Sequence, residues 1–235
     1  MRIPHLGKIK YQSKSSPRMR MIPVTIVTDT ICPWCYVGTK RFQNAVANFK
    51  QSHPDVDFQI THVPFQIEPS LPKTPQNHTE RIAKKIGSRA RVDQMHAHLQ
   101  ALGRREGIAF SFEGNISNSL DSHRLIAFAG AQGAEVQGKV VEALFRAKFE
   151  EDRDVGDLRV LLDVAEKAGV ADLDGVRNML AGDFLLKETR EQVELVQRRG
   201  VHGVPHFTVD EKYVVEGAQE PSAFEASFER ALLSR

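Results

Sequence analysis

Cys32 and Cys35 are the whole thiol content of this 235-residue chain, and they stand three positions apart as Cys32-Pro33-Trp34-Cys35. A dithiol at this spacing can cycle to an intramolecular disulfide, so the chemistry it suggests is thiol–disulfide exchange. The motif lies between a short β-branched run, Val24–Thr28, and a helical pattern that Pro33 is suited to begin. A thiol at the first turn of a helix faces the positive end of the macrodipole and free N–H groups, which favour the attacking thiolate. Cys32 is therefore the expected nucleophile. Cys35, a turn further in, is expected to be shielded yet able to close onto Cys32 and release a mixed-disulfide partner. Trp34 offers apolar surface beside the sulfurs.

Two other readings of the cysteines are available. They could be inert core thiols, or they could join His202 and His206 in a zinc pattern, but 166 residues separate Cys35 from His202 where a finger needs a short spacer. No metal is expected. A second segment, Gly200–Phe207 (GVHGVPHF), puts Pro205 at the start of a strand, where a missing N–H is tolerable. X-Pro is the bond at which a cis peptide is accessible, and a bent Val204–Pro205 could offer the Val204 backbone to an extended substrate while the ring packs near the thiols. An ordinary strand-initiating proline fits the same residues. Phe65 and His206 are expected to flank such a cleft and contact substrate.

These residues need elements to position them. After the first strand, Trp34, Val37, Phe42, Ala45, Val46 and Phe49 share one helical face until His53-Pro54 stops the run, and Asp57–Phe65 alternates as a second strand. That β-α-β opening makes the two strands parallel by the right-handed crossover rule. Prolines 64, 69, 72 and 75 punctuate a loop, and the next hundred or so residues read as helices, with Leu158, Leu161, Leu162 and Ala165 as one stripe and Gly103, Gly130, Gly156 and Gly169 as helix ends. A helix over 184–199 closed by Gly200, strands at His206–Asp210 and Lys212–Glu216, and a helix opened by Pro221 complete the chain. His96 and His98, two apart, read as solvated, as do Arg104-Arg105 and Glu150-Glu151-Asp152.

The formal charge of +2 is an average of two unlike parts. Residues 1–23 carry six basic and no acidic side chains, leaving 26 basic and 30 acidic residues, net −4, in the body. An acidic body does not support nucleic-acid binding, and no apolar run approaches the roughly 18 residues needed to span a bilayer, so neither nucleic acid nor membrane is an expected partner. The tail, residues 1–21, is expected to be disordered. It lacks the apolar region of a secretory signal, which points to the cytoplasm; its Arg, Lys and Ser content leaves a mitochondrial targeting role as the alternative, although Pro4, Gly7 and Pro17 interrupt an amphipathic helix. Met19 or Met21 could equally be the natural start.

TDTICPWCYVG, HVPFQIEPSLP, SNSLDSHRL and GVHGVPHFTVDEKYVVEGAQ resemble the successive landmarks of DsbA-like thioredoxin-fold oxidoreductases, in particular the FrnE-type subgroup, over about residues 22–233. The resemblance implies an α/β thioredoxin fold, residues 22–66 and 184–235, with a large all-helical insertion over 67–183. It implies Cys32 as nucleophile, Cys35 as resolving thiol and Pro205 as a cis-proline facing them, and it puts Asn118 and His123 in the cleft, the first to bond substrate or glutathione, the second to transfer protons or hold a helix. The related 2-hydroxychromene-2-carboxylate isomerases share the fold, use glutathione and typically have serine where this chain has Cys32. That difference favours disulfide chemistry with a disulfide-containing protein or small molecule, with glutathione or a thioredoxin-type protein as reductant and no tightly bound cofactor. A glutathione-dependent isomerase or oxidoreductase of aromatic or polyketide-like molecules is the alternative. Trp34 stands where DsbA has histidine, which argues against a strongly oxidising potential.

Overall fold

A computed structural model describes residues 19–234. The tail expected over 1–21 lies outside the described residues as far as residue 18, and its last two residues belong to the sheet, because strand β1 spans Arg20–Thr28. Helix α1 follows at Pro33–Ser52 and β2 at Val56–Pro64. β1 and β2 are parallel and in register from Arg20 opposite Val56 to Thr28 opposite Pro64, the β-α-β unit that the sequence predicts.

The chain then enters α2 (His78–Ile86), α3 (Arg89–Glu106), α4 (Leu120–Gly130), α5 (Ala134–Phe149), α6 (Leu158–Lys167) and α7 (Leu173–Ala181). The two-residue strands β3 (Gln76–Asn77) and β4 (Asn115–Ile116) pair inside this block, which the sequence reads as wholly helical; a ladder that short leaves no alternating pattern to detect. Helix α8 (Leu186–Arg198) brings the chain back to β5 (His206–Val209), β6 (Tyr213–Glu216) and α9 (Pro221–Leu233). The main sheet has the order β2-β1-β5-β6, with β5 antiparallel to both its neighbours. This is the thioredoxin arrangement with helices inserted between its halves.

The strands' period of two explains the packing. Ile22, Val24 and Ile26 of β1 and Phe207 and Val209 of β5 point to α1 and α9, where Phe42 meets Phe207, Phe224 and Phe228 at ring distances of 5.6–6.0 Å. Val27, Val63 and Phe65 face the other way, toward Val196 of α8. The uneven alternation of β2 has the same cause: Phe58 and Ile60 pack with the first cluster, Val63 and Phe65 with the second.

A second core fills the insertion and reaches the start of α1. Tyr36 stacks on Phe145 of α5 at 5.1 Å, and its hydroxyl donates to Glu150 at 2.5 Å. Helix α1 is therefore shared: its first turns pack with the insertion, while Phe42, Ala45 and Phe49 pack with the sheet.

Several local expectations are corrected. Trp34 lies off the buried face of α1 and is exposed. In α6 the buried positions are Leu161, Val164 and Ala165, with Leu158 exposed. Gly103 sits inside α3, not at its end, because a Cβ there would stand 2.5 Å from Phe110; α3 closes at left-handed Gly107. Glu150 and Asp152 are structural acceptors, Asp152 binding the Ser111 hydroxyl and the amides of Glu113 and Gly114. His96 is buried against Phe112, with rings 4.0 Å apart, while His98 is exposed beside Trp34.

Candidate active site

Cys32 is the N-cap of α1, in extended conformation, with Pro33 beginning the helix. A Pro in the first turn forfeits no hydrogen bond, and its fixed φ suits the entry angle. The Cys35 amide donates to the Cys32 carbonyl at 3.0 Å, which closes the first turn and stacks the two residues. Both thiols are free and buried, Cys35 completely. Burial holds the Cys35 thiol well above its ordinary pKa; its hydrogen bond to the Cys32 sulfur and the proximity of that sulfur's charge act in the same direction, against weaker opposing contacts from the Thr28 hydroxyl and Asp29 backbone.

The antiparallel β1–β5 pairing sets Val27 opposite His206, so the residues before His206 run past the end of β1 toward the motif. There the Val204–Pro205 bond is cis, and the Cys32 sulfur lies 3.9 Å from the Val204 carbonyl oxygen, a long and weak thiol contact. The Pro205 ring is seated against α1 at Gly38, one turn beyond Cys35, where a Cβ would come within 2.7 Å of the ring Cγ. The Pro205 carbonyl accepts from Gly217 at 2.8 Å, so the loop is held on both sides. Gly38 was not singled out from sequence. A glycine inside a helix costs roughly 0.5–1 kcal/mol relative to alanine, and that unfavourable choice one turn past the motif is the signal that could have marked it.

Asp29 was also missed. Its carboxylate is fully buried, and it accepts from the Ile31 amide at 3.3 Å and from the Ile67 amide at 2.7 Å. His123 Nε2 of α4 stands 3.4 Å from the same carboxylate, and Thr30 shares a 2.7 Å hydroxyl contact with Ser122. The insertion thus grips the turn ahead of Cys32 through the first turns of α4. His123 is buried in this grip and lines a groove against β2 rather than the surroundings of Cys32.

The Asn118 amide is occupied within the fold. It donates to the Pro69 and Leu71 carbonyls at 3.0 and 2.7 Å and accepts from Gln66 and Leu120, bracing the loop after β2. A bond from it to substrate or glutathione would displace one of these contacts. Phe65 is buried in a cluster with Val27 and Val196, against which Val204 of the loop that carries Pro205 also packs. His206 is half-buried at the start of β5. Among the described residues no three His, Cys, Asp or Glu side chains are grouped to hold a metal ion, and no helix is long and apolar enough to cross a membrane.

A model of the DSBA-like thioredoxin domain family matches residues 23–229. The Streptomyces coelicolor structure described as a probable DsbA oxidoreductase superposes with a TM-score of 0.82 and 30% identity, covering 91% of each chain. The cytosolic disulfide reductase DsbM of Pseudomonas aeruginosa, solved with GSH, shares the fold at a TM-score of 0.57 and 17% identity over 90% of this chain and 99% of its own. The uncharacterized protein YwbO of Bacillus subtilis is 26% identical over 210 residues, 87% of this chain and 94% of that protein.

Proposed function

The chain belongs to the DSBA-like thioredoxin domain family and is a thiol–disulfide oxidoreductase, and from that premise we propose that it reduces or isomerises disulfides through Cys32. The observation that carries this reading is the placement of one thiol at the N-cap of α1, 3.9 Å from the Val204 carbonyl, with the second fully buried one turn deeper.

The Cys32 thiolate attacks one sulfur of a substrate disulfide; the new S–S bond forms as the old one breaks, and the other substrate sulfur leaves as a thiolate that takes a proton from solvent. Cys35 then attacks the Cys32 sulfur, releasing the second substrate thiol and leaving a Cys32–Cys35 disulfide. The raised pKa of Cys35 keeps it a thiol while Cys32 is free. Once Cys32 is tied in a mixed disulfide, the contributions of its sulfur to the raised Cys35 pKa are removed while that of burial stays, so the Cys35 proton is held less firmly at the step that needs it. Two molecules of glutathione, or a dithiol protein, return the pair to the dithiol by the same exchanges; that the fold neighbour DsbM was solved with GSH supports the first. A reducing compartment such as the cytoplasm suits this direction.

Reduction of a protein disulfide such as that of insulin, with glutathione as regenerant, tests the reading. Wild type turns over and Cys32→Ser does not. Equal activity of the two would end the proposal, and a glutathione-dependent reaction on an aromatic small molecule that survives Cys35→Ser would favour the isomerase alternative.

A further inference from the structure

On the side of β2 away from β1, a groove of about 460 Å³ runs between the outer edge of that strand, α4, the start of α5 and Gln192 of α8. Residues 59–64 of β2 all line it, an extent of about 17 Å at the rise of a strand. It shares no residue with the Cys32 motif or the Val204–Pro205 loop. Alternate residues of a strand turn their amide and carbonyl to the same edge. The Phe65 amide, just past β2, donates inward to Thr28, whereas the His62 amide and carbonyl turn outward to the side chain of Gln137, at 2.9 and 3.3 Å. The amide and carbonyl of Ile60, two residues back, therefore turn outward as well, into the groove.

Gln137 imitates a strand partner, since its side-chain amide accepts from the His62 N–H and donates to the His62 carbonyl as one peptide group of a neighbouring strand would. A bond to the Ile126 carbonyl at 3.4 Å steadies it, and Gly130 leaves it room, because a Cβ there would stand 2.7 Å from the Gln137 Nε2. Pro64 brings no N–H, and the Phe58 amide donates to the Asp57 carboxylate at 2.9 Å. The edge is thus blunted on both sides of Ile60, as strands protected from stray pairing are, and left open where it meets the groove. Among the described residues nothing pairs with the outward amide and carbonyl of Ile60. Two imidazoles in the groove wall are also incomplete: His62 and His123 are 8% and 2% exposed, and neither Nδ1 has a hydrogen-bond partner. Among the described residues no Asp, Glu, Lys or Arg lines the groove, so a charged group entering it would lose hydration without gaining a partner.

We propose that this groove docks an extended, uncharged segment of a partner polypeptide, which adds to β2 as a short strand and exchanges backbone hydrogen bonds with Ile60. The segment continues the ladder that Gln137 begins, and its polar side chains reach the unpartnered Nδ1 atoms of His62 and His123. A groove drawn out along one strand edge, with a backbone donor and a backbone acceptor side by side, matches a polypeptide chain better than a compact molecule. Few backbone bonds are on offer, which suits a transient contact. The site lies apart from the thiols, so the proposal stands independently of the exchange reaction and gives the protein a second contact surface.

A peptide of alternating threonine and valine, five residues long, acetylated and amidated at its ends, is a suitable probe, because both residue types favour an extended chain. The readout is exchange of the Ile60 amide with water, followed by NMR on the isotope-labelled full-length protein. Exchange should slow as peptide is added, about tenfold when the free peptide reaches about nine times its Kd, since only the uncovered amide exchanges. The same peptide with every backbone nitrogen methylated cannot pair and should leave the Ile60 amide unchanged, and a version with lysine at its centre should bind at least about tenfold more weakly. No slowing at about 10 mM peptide, where a contact of millimolar affinity is nearly saturated, overturns the proposal. Equal protection by the methylated or by the lysine-bearing peptide overturns it too. So does an Ile60 amide already protected in the protein alone at low concentration, which would show the edge covered by the chain's own residues 1–18, or protection that appears as the protein is concentrated, which would show a second copy there.

Discussion

Replacing Gly38 by alanine should damage both stability and turnover, although alanine is the better helix former. The added Cβ would stand 2.7 Å from the Pro205 Cγ and 3.4 Å from both Phe207 Cζ and Ala218 Cα. Carbon atoms pack best at about 3.5–4.0 Å, and a proline ring cannot rotate aside as a flexible side-chain end can. Either α1 or the Val204–Pro205 loop must move by most of an ångström. Overpacking of this kind costs about 1–3 kcal/mol, and the helix-propensity gain of up to about 1 kcal/mol offsets part of it, for a net loss of about 1–2 kcal/mol. The same displacement carries the Val204 carbonyl away from the Cys32 sulfur, and misplacement on that scale costs about ten- to a hundredfold in rate. Gly138 in α5 is the internal control, since a Cβ there meets nothing within 4 Å, and Gly138→Ala should stabilise by about 0.5–1 kcal/mol without slowing reduction. Urea unfolding and disulfide-reduction rates of the two variants decide the matter. A Gly38→Ala protein as stable as Gly138→Ala, with wild-type turnover, would refute the reasoning.

Asp29→Ala should cost about 3 kcal/mol, because the Ile31 and Ile67 amides lose their buried acceptor, and the loss should appear in chemical denaturation as a lower midpoint at unchanged slope. Acid should weaken the fold before any carboxylate titrates. Burial depresses the His62 pKa to about 4 and the His78 pKa to about 3, so the unfolded chain takes up protons below about 6.5 that the folded chain refuses. Stability is complete above pH 6.5 and falls from there down toward pH 4, by about 2 kcal/mol per histidine at pH 5. Urea midpoints between pH 7 and 5 measure this, and His62→Gln should remove about half of the slope; a midpoint that does not change with pH contradicts the assignment.

The parts of the fold that could be read from sequence are those in which one residue pattern has one structural outcome. VTIVT, the Pro33 helix start, Gly200 after α8 and the Pro221 helix are local signals, and the structure has an element at each. The turn between β5 and β6 needs left-handed conformations at Asp210 and Glu211, residues with only moderate or weak turn preference, so the hairpin was visible only through its strands. The dithiol was legible because chemistry and position coincide at Cys32. The residues that hold the site were not. Asp29, Gly38 and Ser122 act across contacts distant in sequence, and a lone aspartate before a helix or a glycine within one has many uses. His96 was misread for a similar reason: its spacing from His98 describes one helix, whereas its burial is decided by Phe112 beyond the end of that helix.

The account turns on the division of labour between the two thiols, and trapping the mixed disulfide tests it most directly. Incubating Cys35→Ser and Cys32→Ser separately with a disulfide substrate, then measuring intact mass without reductant, should show one substrate thiol attached to Cys32 in the first protein and none in the second. An adduct on Cys35 in Cys32→Ser, with none in Cys35→Ser, would reverse the assignment and contradict the account.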